Sequence, residues 1–346
     1  MSYTTYLTII VPSIIAFAIT VAGTRFLMSY FYGAGIIAED KNKANPKRLP
    51  SSGGIAVALG LIVGILTYTF GGSFVFVPVL SVSNLLAVAL SIMLIGFVGF
   101  LDDVNVKARR VMTTDLKDIR QGLKQWQKPL LTFIGALPLM AINAGVHSLN
   151  IPFIGIVPLG YFYPIVIIPL AVIFVSNSVN LLGGFDGLQP GMAAVAALGL
   201  LVYSLFYGNY TGTLLSALLL ASVLAFTYFN WYKARIIPGD SLTYVVGGTM
   251  VAIMVMGNAE TFGVVIFIPW IIEFVLHLRR KFKVTDLGIR QKDGTFKAPY
   301  GKRIYSLTHL VMNMKNCTEV EVATYLVGLE AAFVVLALAL KALGLL

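Results

Sequence analysis

Charged side chains are scarce in this sequence: Asp, Glu, Lys and Arg make up 12% of its 346 residues, about half of their usual share in soluble domains. Cysteine is almost absent as well, and the single residue, Cys317, excludes an intramolecular disulfide. Hydrophobic residues account for 58% of the chain, and its mean hydropathy is +0.87. The composition therefore excludes an ordinary soluble domain and indicates an integral membrane protein.

The apolar residues are gathered into runs long enough to cross a bilayer, since a helix of about 20 residues spans the hydrocarbon core. We predict ten membrane-spanning helices, at residues 5–23, 53–70, 84–101, 129–145, 162–181, 190–207, 213–231, 241–257, 260–277 and 320–345. The first run is not an obvious cleavable signal, because no Lys or Arg precedes it. The predicted fold is an all-α polytopic membrane protein with one domain over residues 1–346.

Lys and Arg are missing from every second segment between these runs. Of the 25 such residues, 24 lie in the alternate segments 24–52, 102–128, 182–189, 232–240 and 278–319, and the other is Lys341. Because cytoplasmic loops collect Lys and Arg, we predict that these segments are cytoplasmic and that both termini lie outside. Anionic lipid headgroups or a phosphorylated substrate would balance the net charge of +10. No nucleic-acid-binding motif is present, so no nucleic-acid partner is expected.

Two adjacent acids, Asp102 and Asp103, stand where the third apolar run ends. Neighbouring carboxylates repel each other and are stabilised by a shared cation or by a role as proton acceptor. Mg²⁺ commonly binds through one or two carboxylates together with substrate phosphates. Solvated charge at a helix end is the alternative interpretation.

More polar residues stand beside later runs on the same predicted face. In "NSVNLLGGFDGLQPG" (177–191), Asn177 and Asn180 are three residues apart and share a helix face. The glycines of this stretch let the backbone turn close to a ligand, although a glycine-rich turn with capping side chains is the alternative. Asp240 in "PGDSLTY" stands at the mouth of the eighth run, where helix capping is the alternative role.

Two basic segments complete the predicted cytoplasmic face. The segment "DKNKANPKRLPSSGG" (40–54) ends in hydroxyls and flexible backbone, and "APYGKRIYSLTH" (298–309) contains Lys302, Arg303 and His309. Guanidinium groups bind phosphate oxygens well, although ordinary cytoplasmic loops are also basic. Acids, amides, glycines and cations on one face together suit a diphosphate bound through Mg²⁺.

These motifs carry a family resemblance. The pieces "PSSGG", "GFLDDV", "NSVNLLGGFDGL", "GDSLTYVVGG" and "GKRIYSLTH" follow one another over residues 46–309, and in them the chain resembles the polyprenyl-phosphate N-acetylhexosamine-1-phosphate transferase family. It looks most like the dolichyl-phosphate branch of archaea and eukaryotes, because Gly183 replaces an aspartate of the bacterial peptidoglycan branch. The resemblance implies ten transmembrane helices, both termini outside, and an active site on cytoplasmic loops of a multi-pass cell-membrane protein.

The resemblance also implies a reaction. UDP-GlcNAc and a polyprenyl (dolichyl) phosphate would give GlcNAc-diphosphate-lipid and UMP, the first step of lipid-linked oligosaccharide assembly for N-glycosylation. The expected cofactor is Mg²⁺, with Mn²⁺ as a substitute. Family members often dimerise, so a homodimer is expected in the lipid bilayer.

Roles follow from the resemblance residue by residue. Asn180 and Asp240 match the Mg²⁺ ligands, while Asp102 and Asp103 match paired acids near the metal and the acceptor phosphate. Which of the two acids would act as a base stays open. Lys128 matches a lysine that contacts phosphate.

Lys124 is a rival for the role of Lys128. In the resemblance, Asp186 contacts the uracil, and Lys302 and Arg303 contact the diphosphate and the sugar. The full predicted substrate-binding set is Asn177, Asp186, Ser52, Gly53, Lys302, Arg303 and His309.

Two other functions compete with this interpretation. A transporter or flippase of a phosphorylated lipid or sugar would place ionisable groups inside its spans, and Glu273 and Glu330 lie within apolar runs. A family member could also use another UDP-N-acetylhexosamine in cell-envelope polymer synthesis. Most charged residues stand at helix ends instead, which favours the transferase.

Overall fold

Helices dominate the structure, a computed structural model that describes residues 3–104, 123–124, 126–151 and 154–346. Most of the predicted basic segment 102–128 lies outside the described residues. The helices are α1 (Tyr3–Ala34), α2 (Gly54–Phe74), α3 (Val82–Val104), α4 (Gln127–Thr132), α5 (Leu137–Ala141), α6 (Ile168–Leu181), α7 (Leu188–Phe206), α8 (Tyr210–Asn230), α9 (Gly239–Gly257), α10 (Glu260–Ile266), α11 (Ile268–Leu278), α12 (Leu307–Met314) and α13 (Glu319–Ala342).

Eight helices in the described part of the chain are long and apolar enough to cross a membrane: α1, α2, α3, α6 with the π-helical turn before it, α7, α8, α9 and α13. The predicted run 260–277 is broken into α10 and α11, which are bent by 59°. Pro269 at the start of α11 explains the break, because proline has no N–H and its ring clashes with the carbonyl four residues earlier.

The predicted run 129–145 is also divided. It forms α4, a 3₁₀ turn at Phe133–Ala136 and α5, which ends at Ala141. All ten runs thus coincide with helical segments, and the protein has the architecture of a polytopic membrane protein. The number of segments that cross the membrane and the placement of the termini stay predictions.

Helix α9 lies at the centre of the bundle. Of its most apolar window, 83% is buried, against 28% of the window in α1. Two glycines allow neighbouring helices to approach the start of α9 closely. A Cβ atom on Gly54 of α2 would overlap the backbone at Leu242, and one on Gly99 of α3 would overlap the backbone at Ser241. The first turn of α9 is therefore held between the ends of α2 and α3.

In the described part of the chain, three short antiparallel hairpins accompany the helices, so the all-α description holds for the bundle alone. They pair β1 (Ile37–Glu39) with β2 (Arg48–Pro50), β3 (Ser148–Ile151) with β4 (Gly155–Pro158), and β5 (Ile289–Arg290) with β6 (Phe296–Lys297). In the sequence, residues 146–164 have β-prone stretches around Gly155, and Asp293-Gly294 is a typical two-residue hairpin turn. These patterns predict the second and third hairpins, and both are confirmed. The first hairpin was not predicted.

Candidate active site

Helix ends that are distant in sequence meet at one end of the bundle, which we call the site end. Asp102 lies in the last turn of α3 and Lys128 in the first turn of α4. Asn180 lies in the last turn of α6 and Asp240 in the first turn of α9. Ser52 precedes α2, and its hydroxyl donates a hydrogen bond to Ser241 Oγ at 3.0 Å. The structure therefore brings together polar residues from every motif except the basic segment 298–309.

The Lys128 cluster, made of Asp102, Lys128, Asn180 and Asp240, is the centre of this site. Lys128 Nζ lies 2.5 Å from Asp102 Oδ2 and 2.7 Å from Asp240 Oδ2. Asn180 Nδ2 donates to the same Asp240 oxygen at 3.0 Å, and Asn180 Oδ1 accepts from Thr243 Oγ1 at 3.1 Å. The ammonium thus joins two carboxylates from different helices, and the amide holds one of them in place.

Asp103 has a different partner from its neighbour Asp102. Its Oδ1 accepts from Asp240 N at 2.7 Å, and its Oδ2 accepts from Ser241 N at 3.2 Å. Unpaired N–H groups and the dipole at a helix N-terminus favour such a carboxylate. Gly239 makes this contact possible, because its φ of +73° suits glycine and a Cβ there would overlap the Asp103 carboxylate.

The adjacent acids therefore have separate roles, since successive side chains on a helix point about 100° apart. Asp102 accepts from Leu123 N at 2.7 Å as well as from Lys128. Asp103 uses both oxygens to fix the first turn of α9. This division leaves Asp102, and not Asp103, in direct contact with the cation.

Two other predicted residues, Asn177 and Gly53, help to pack the helices around the Lys128 cluster. Asn177 Nδ2 donates to Thr132 Oγ1 at 3.1 Å and to Ile173 O at 2.8 Å, which ties α6 to α4. Gly53 lies against Phe226, where any Cβ would overlap the ring. These contacts place both residues beside the site end.

A second group of charges, the Lys43 cluster, consists of Asp40, Lys43, Asp186 and Glu319. Lys43 Nζ lies 2.6 Å from Asp186 Oδ2, 2.6 Å from Glu319 Oε2 and 3.3 Å from Asp40 Oδ2. The three carboxylates have oxygens within 4.8 Å of one another, and the ammonium lies among them. Burial opposes the charge on Lys43, but its hydrogen bonds and ion pairs with Asp186 and Glu319 outweigh this effect and raise the pKa of Lys43.

The glycine-rich loop 182–187 is held by side chains from later in the chain. Asp286 Oδ2 accepts from Gly183 N at 3.0 Å, and Glu319 Oε1 accepts from Asp186 N at 3.1 Å. Asn230 Oδ1 accepts from Gly187 N at 3.1 Å, where a φ of +75° favours glycine. Three side chains that are distant in sequence thus set the path of this loop.

A cavity of about 850 Å³ adjoins the Lys43 cluster, and its lining includes Lys43, Glu319, Tyr232, Arg235 and Arg290. This volume lies within the usual range of sites for small molecules and cofactors. Within the described residues, the side chains of the Lys128 cluster do not line it. The site end therefore combines a compact charged centre with a separate open cavity.

The basic segment 298–309 is not brought into either cluster. Lys302 and Arg303 are exposed, and neither forms an ion pair with a described acid of the two clusters. His309 is fully buried, with Nε2 2.9 Å from Thr285 O and Nδ1 accepting from Tyr305 N at 3.3 Å. Burial lowers the pKa of His309, so the ring is placed as a neutral structural group.

The two acids that favour a transporter are both buried. Glu273 Oε2 accepts from Leu307 N at 2.7 Å, and its Oε1 lies 2.9 Å from His277 Nε2. Glu273 therefore anchors the start of α12. Glu330 is fully buried in α13, and neither of its oxygens has a hydrogen-bond partner among the described residues.

Sequence reasoning missed four charged residues of the site end. Asp40 and Lys43 belong to a segment that was singled out only as a basic stretch. Glu319 follows the Thr318 cap of α13, where an acid is ordinary, and Asp286 stands in a long segment without a recognisable motif. Only contacts between distant parts of the chain distinguish these residues from other surface charges.

The residues present fit a hard divalent cation. Two carboxylates direct one oxygen each at Lys128 Nζ, and the Asn180 amide lies beside one of them. A position where oxygen ligands from separate helices converge on positive charge suits Mg²⁺, which prefers carboxylate and carbonyl oxygens. Of the two predicted ligands, Asp240 directs an oxygen to this position, as Asp102 also does, whereas Asn180 turns its amide nitrogen toward Asp240 and its oxygen toward Thr243.

Comparisons with known proteins show the family of this chain. Residues 85–258 match glycosyl transferase family 4. A Saccharolobus solfataricus protein is 32% identical over 337 residues, which is 97% of each chain, and is provisionally named a UDP-N-acetylglucosamine–dolichyl-phosphate N-acetylglucosaminephosphotransferase. The chain belongs to glycosyl transferase family 4.

Two other relatives are less similar to this chain. A Dictyostelium discoideum protein with the same enzyme name, without the provisional mark, is 26% identical over 275 residues, 70% of this chain and 63% of its own. A Listeria monocytogenes phospho-N-acetylmuramoyl-pentapeptide-transferase is 29% identical over 300 residues, 85% of each chain. The family resemblance deduced from the motifs is confirmed, and the chain is a glycosyl-1-phosphate transferase by family.

Proposed function

We propose that this protein transfers GlcNAc-1-phosphate from UDP-GlcNAc to dolichyl phosphate or a similar polyprenyl phosphate and releases UMP. The convergence of Asp102, Lys128, Asn180 and Asp240 at one end of the bundle is the observation that carries the proposal. A full-length relative at 32% identity is named for this activity. The transporter and the use of another sugar nucleotide are not favoured by these findings.

In the proposed reaction the lipid phosphate attacks directly. A phosphate monoester has a second pKa of about 6 and is largely dianionic at neutral pH, so it needs little help from a base. Its oxygen forms a bond to the β-phosphorus of UDP-GlcNAc. The bond from that phosphorus to the oxygen bridging it to the α-phosphate breaks, and UMP leaves with the electron pair.

The main obstacle to this attack is repulsion between two polyanions. Lys128 offers a fixed positive charge whose position is set by Asp102 and Asp240, and such preorganised charge stabilises a transferring phosphoryl group. Asn180, Asp240 and Asp102 would hold Mg²⁺, which would supply further charge stabilisation at the diphosphate. Asp103 acts indirectly, because it accepts a hydrogen bond from the backbone N–H of Asp240 and so holds that residue in place.

The nucleoside end of the donor is assigned to the region around Asp186. In the resemblance, Asp186 matches the position that contacts the uracil, and the cavity of about 850 Å³ reaches Lys43 and Glu319, which both contact Asp186. Lys302 and Arg303 are exposed, and we retain them as proposed contacts to the diphosphate and sugar.

We further propose that the site end faces the cytoplasm, that both termini lie outside and that ten segments span the membrane. The segregation of Lys and Arg supports this topology. Cysteine labelling from either side of the membrane at engineered positions in the β3–β4 and β5–β6 hairpins would test it. A homodimer is also expected, and the molecular mass in detergent would test that.

The test of function is UMP release by the purified full-length chain in detergent with UDP-GlcNAc, dolichyl phosphate and Mg²⁺. We expect release that depends on the lipid, is lost with EDTA and is restored by Mg²⁺ or Mn²⁺. Other sugar nucleotides, including the UDP-muramoyl pentapeptide, should react much more slowly. Folded protein that releases no UMP with any of these donors would contradict the proposal.

A further inference from the structure

The carboxylate of Asp186 is held by its surroundings at several points. Its Oδ2 accepts from Lys43 Nζ at 2.6 Å and from Ala234 N at 2.9 Å. Its own backbone N–H donates to Glu319 Oε1 at 3.1 Å. The side chain of Asp186 is only 9% exposed, so it has little freedom to turn away from these partners.

Glu319 contacts both Asp186 and Lys43, the cation that binds the Asp186 carboxylate. One oxygen accepts from the Asp186 backbone, and the other accepts from Lys43 Nζ at 2.6 Å. Glu319 is 5% exposed and lies at the first residue of α13, directly after its Thr318 cap. Because the helix is long and packs against α7, Glu319 is a rigid anchor for a loop that carries several glycines.

Lys43 is itself restrained from a further side. Its ammonium lies 5.0 Å from the centre of the Tyr232 ring, within the range of a cation–π contact. Together with Asp186 and Glu319, this contact fixes the cation at the edge of the cavity. Charge-assisted hydrogen bonds of this kind are stronger than neutral ones.

We propose that Lys43 and Glu319 are positioning residues that hold the Asp186 carboxylate in the orientation that binds the nucleoside of the donor. This inference rests on the proposed function and extends it to two residues that no motif identifies. Neither residue contacts the Lys128 cluster, and Asn180 has its own supports in Asp240 and Thr243. Loss of Glu319 should therefore weaken donor binding and leave the chemical step in place.

The experiment compares Glu319→Gln with Glu321→Gln on the same turn of α13. Glu321 forms an exposed ion pair with Lys315 at 3.1 Å and caps the helix with Thr318. Glutamine retains this capping role, so the control makes the same chemical change without touching Asp186. We expect Glu319→Gln to raise the KM for UDP-GlcNAc and the Kd for UDP about tenfold, with kcat and the KM for dolichyl phosphate within about twofold.

A double variant tests whether Glu319 acts through Asp186. If it does, Glu319→Gln should add little to the effect of Asp186→Asn, because the supported group is already altered. The inference would be overturned if the effects of the two single variants on KM and Kd multiplied in the double variant. It would also be overturned by an unchanged KM and Kd in Glu319→Gln, or by a fall in kcat alone.

Folding and function are checked separately. Thermal unfolding reports whether Glu319→Gln is folded, and if it is not, Lys43→Arg is measured in the same assays. This variant keeps the charge but changes the donor geometry, so a higher Kd for UDP is expected and a wild-type value would overturn the inference. If the wild type releases UMP, failure of these variants to differ from it rejects the positioning role alone. A wild type that neither releases UMP nor binds UDP rejects both proposals.

Discussion

Two lysines at the same end of the bundle each lie among carboxylates, but the elements that carry the two clusters differ. The Lys128 cluster is built from the ends of α3, α4, α6 and α9. The Lys43 cluster is built from the segment between β1 and β2, the loop after α6 and the first residue of α13. Helix ends hold groups with little freedom, whereas loops need partners from elsewhere in the chain.

This difference suggests a division of work. The rigid Lys128 cluster is suited to the transferring phosphoryl group, where small displacements are costly. The Lys43 cluster borders the cavity and is suited to recognising the part of the donor that does not react. Changes in the first cluster should therefore lower kcat, and changes in the second should alter KM.

The largest effect is expected from Asp240→Asn. Asp240 contacts Lys128 and Asn180 at once, and loss of its charge should lower kcat about 10²- to 10³-fold. UMP release at saturating substrates measures the change. Asp293→Asn, on the exposed turn of the β5–β6 hairpin, is the matched control and should keep wild-type activity. A KM effect without loss of kcat would reject the division of work.

The next largest effect is expected from Lys128→Met, with Lys124→Met as its control. Lys128 Nζ bridges Asp102 and Asp240, whereas the Lys124 side chain is exposed. We expect kcat to fall about 10²-fold in the first variant, with less than about a twofold change in the second. Equal losses in both would show that Lys124 shares the role of Lys128. The unfolding temperature should fall in Lys128→Met and not in Lys124→Met, because removing the Lys128 cation leaves partly buried carboxylates unpaired.

Asp103→Asn should have a smaller effect of a different kind. Asparagine retains one acceptor oxygen for the first turn of α9 but loses the charge that suits the helix N-terminus. We expect about a tenfold loss of activity together with a lower unfolding temperature. Activity lost as completely as in Asp240→Asn, with an unchanged unfolding temperature, would indicate direct chemistry by Asp103.

The smallest effect is expected from Asp40→Asn, and it should depend on pH. Burial and the charge of Asp186 raise the pKa of Asp40 above its ordinary value, although Lys43 partly opposes them. A raised folded-state pKa means that ionised Asp40 destabilises the folded protein at neutral pH. Asp40→Asn should therefore unfold at a slightly higher temperature near pH 7.

This difference should shrink as the pH falls through the folded-state pKa and should vanish below the unfolded-state pKa, about 3.9. Thermal unfolding in detergent at stepped pH values measures it. A lower unfolding temperature near pH 7 would mean that the pair with Lys43 outweighs burial at this position.

Much of the site could be read from the sequence, and particular residues show why. Asp102, Asp103, Asn180 and Asp240 stand out because each lies at or next to the end of a long apolar run, and a polar residue at such a boundary needs a reason. The helices at these boundaries then bring the residues together. Glu319 and Asp286 lacked this contrast, since acids are common at helix starts and in long polar segments.

Sequence alone determined the class of the protein, its helical bundle and the family to which it belongs. Long apolar runs must form helices in a bilayer, because only internal hydrogen bonds can satisfy their backbone there. Tertiary structure alone decided how adjacent acids divide their roles, with Asp102 on Lys128 and Asp103 on the start of α9. It also decided that Lys43 and Glu319 hold Asp186, because contacts across 133 residues or more of sequence separation leave no local pattern.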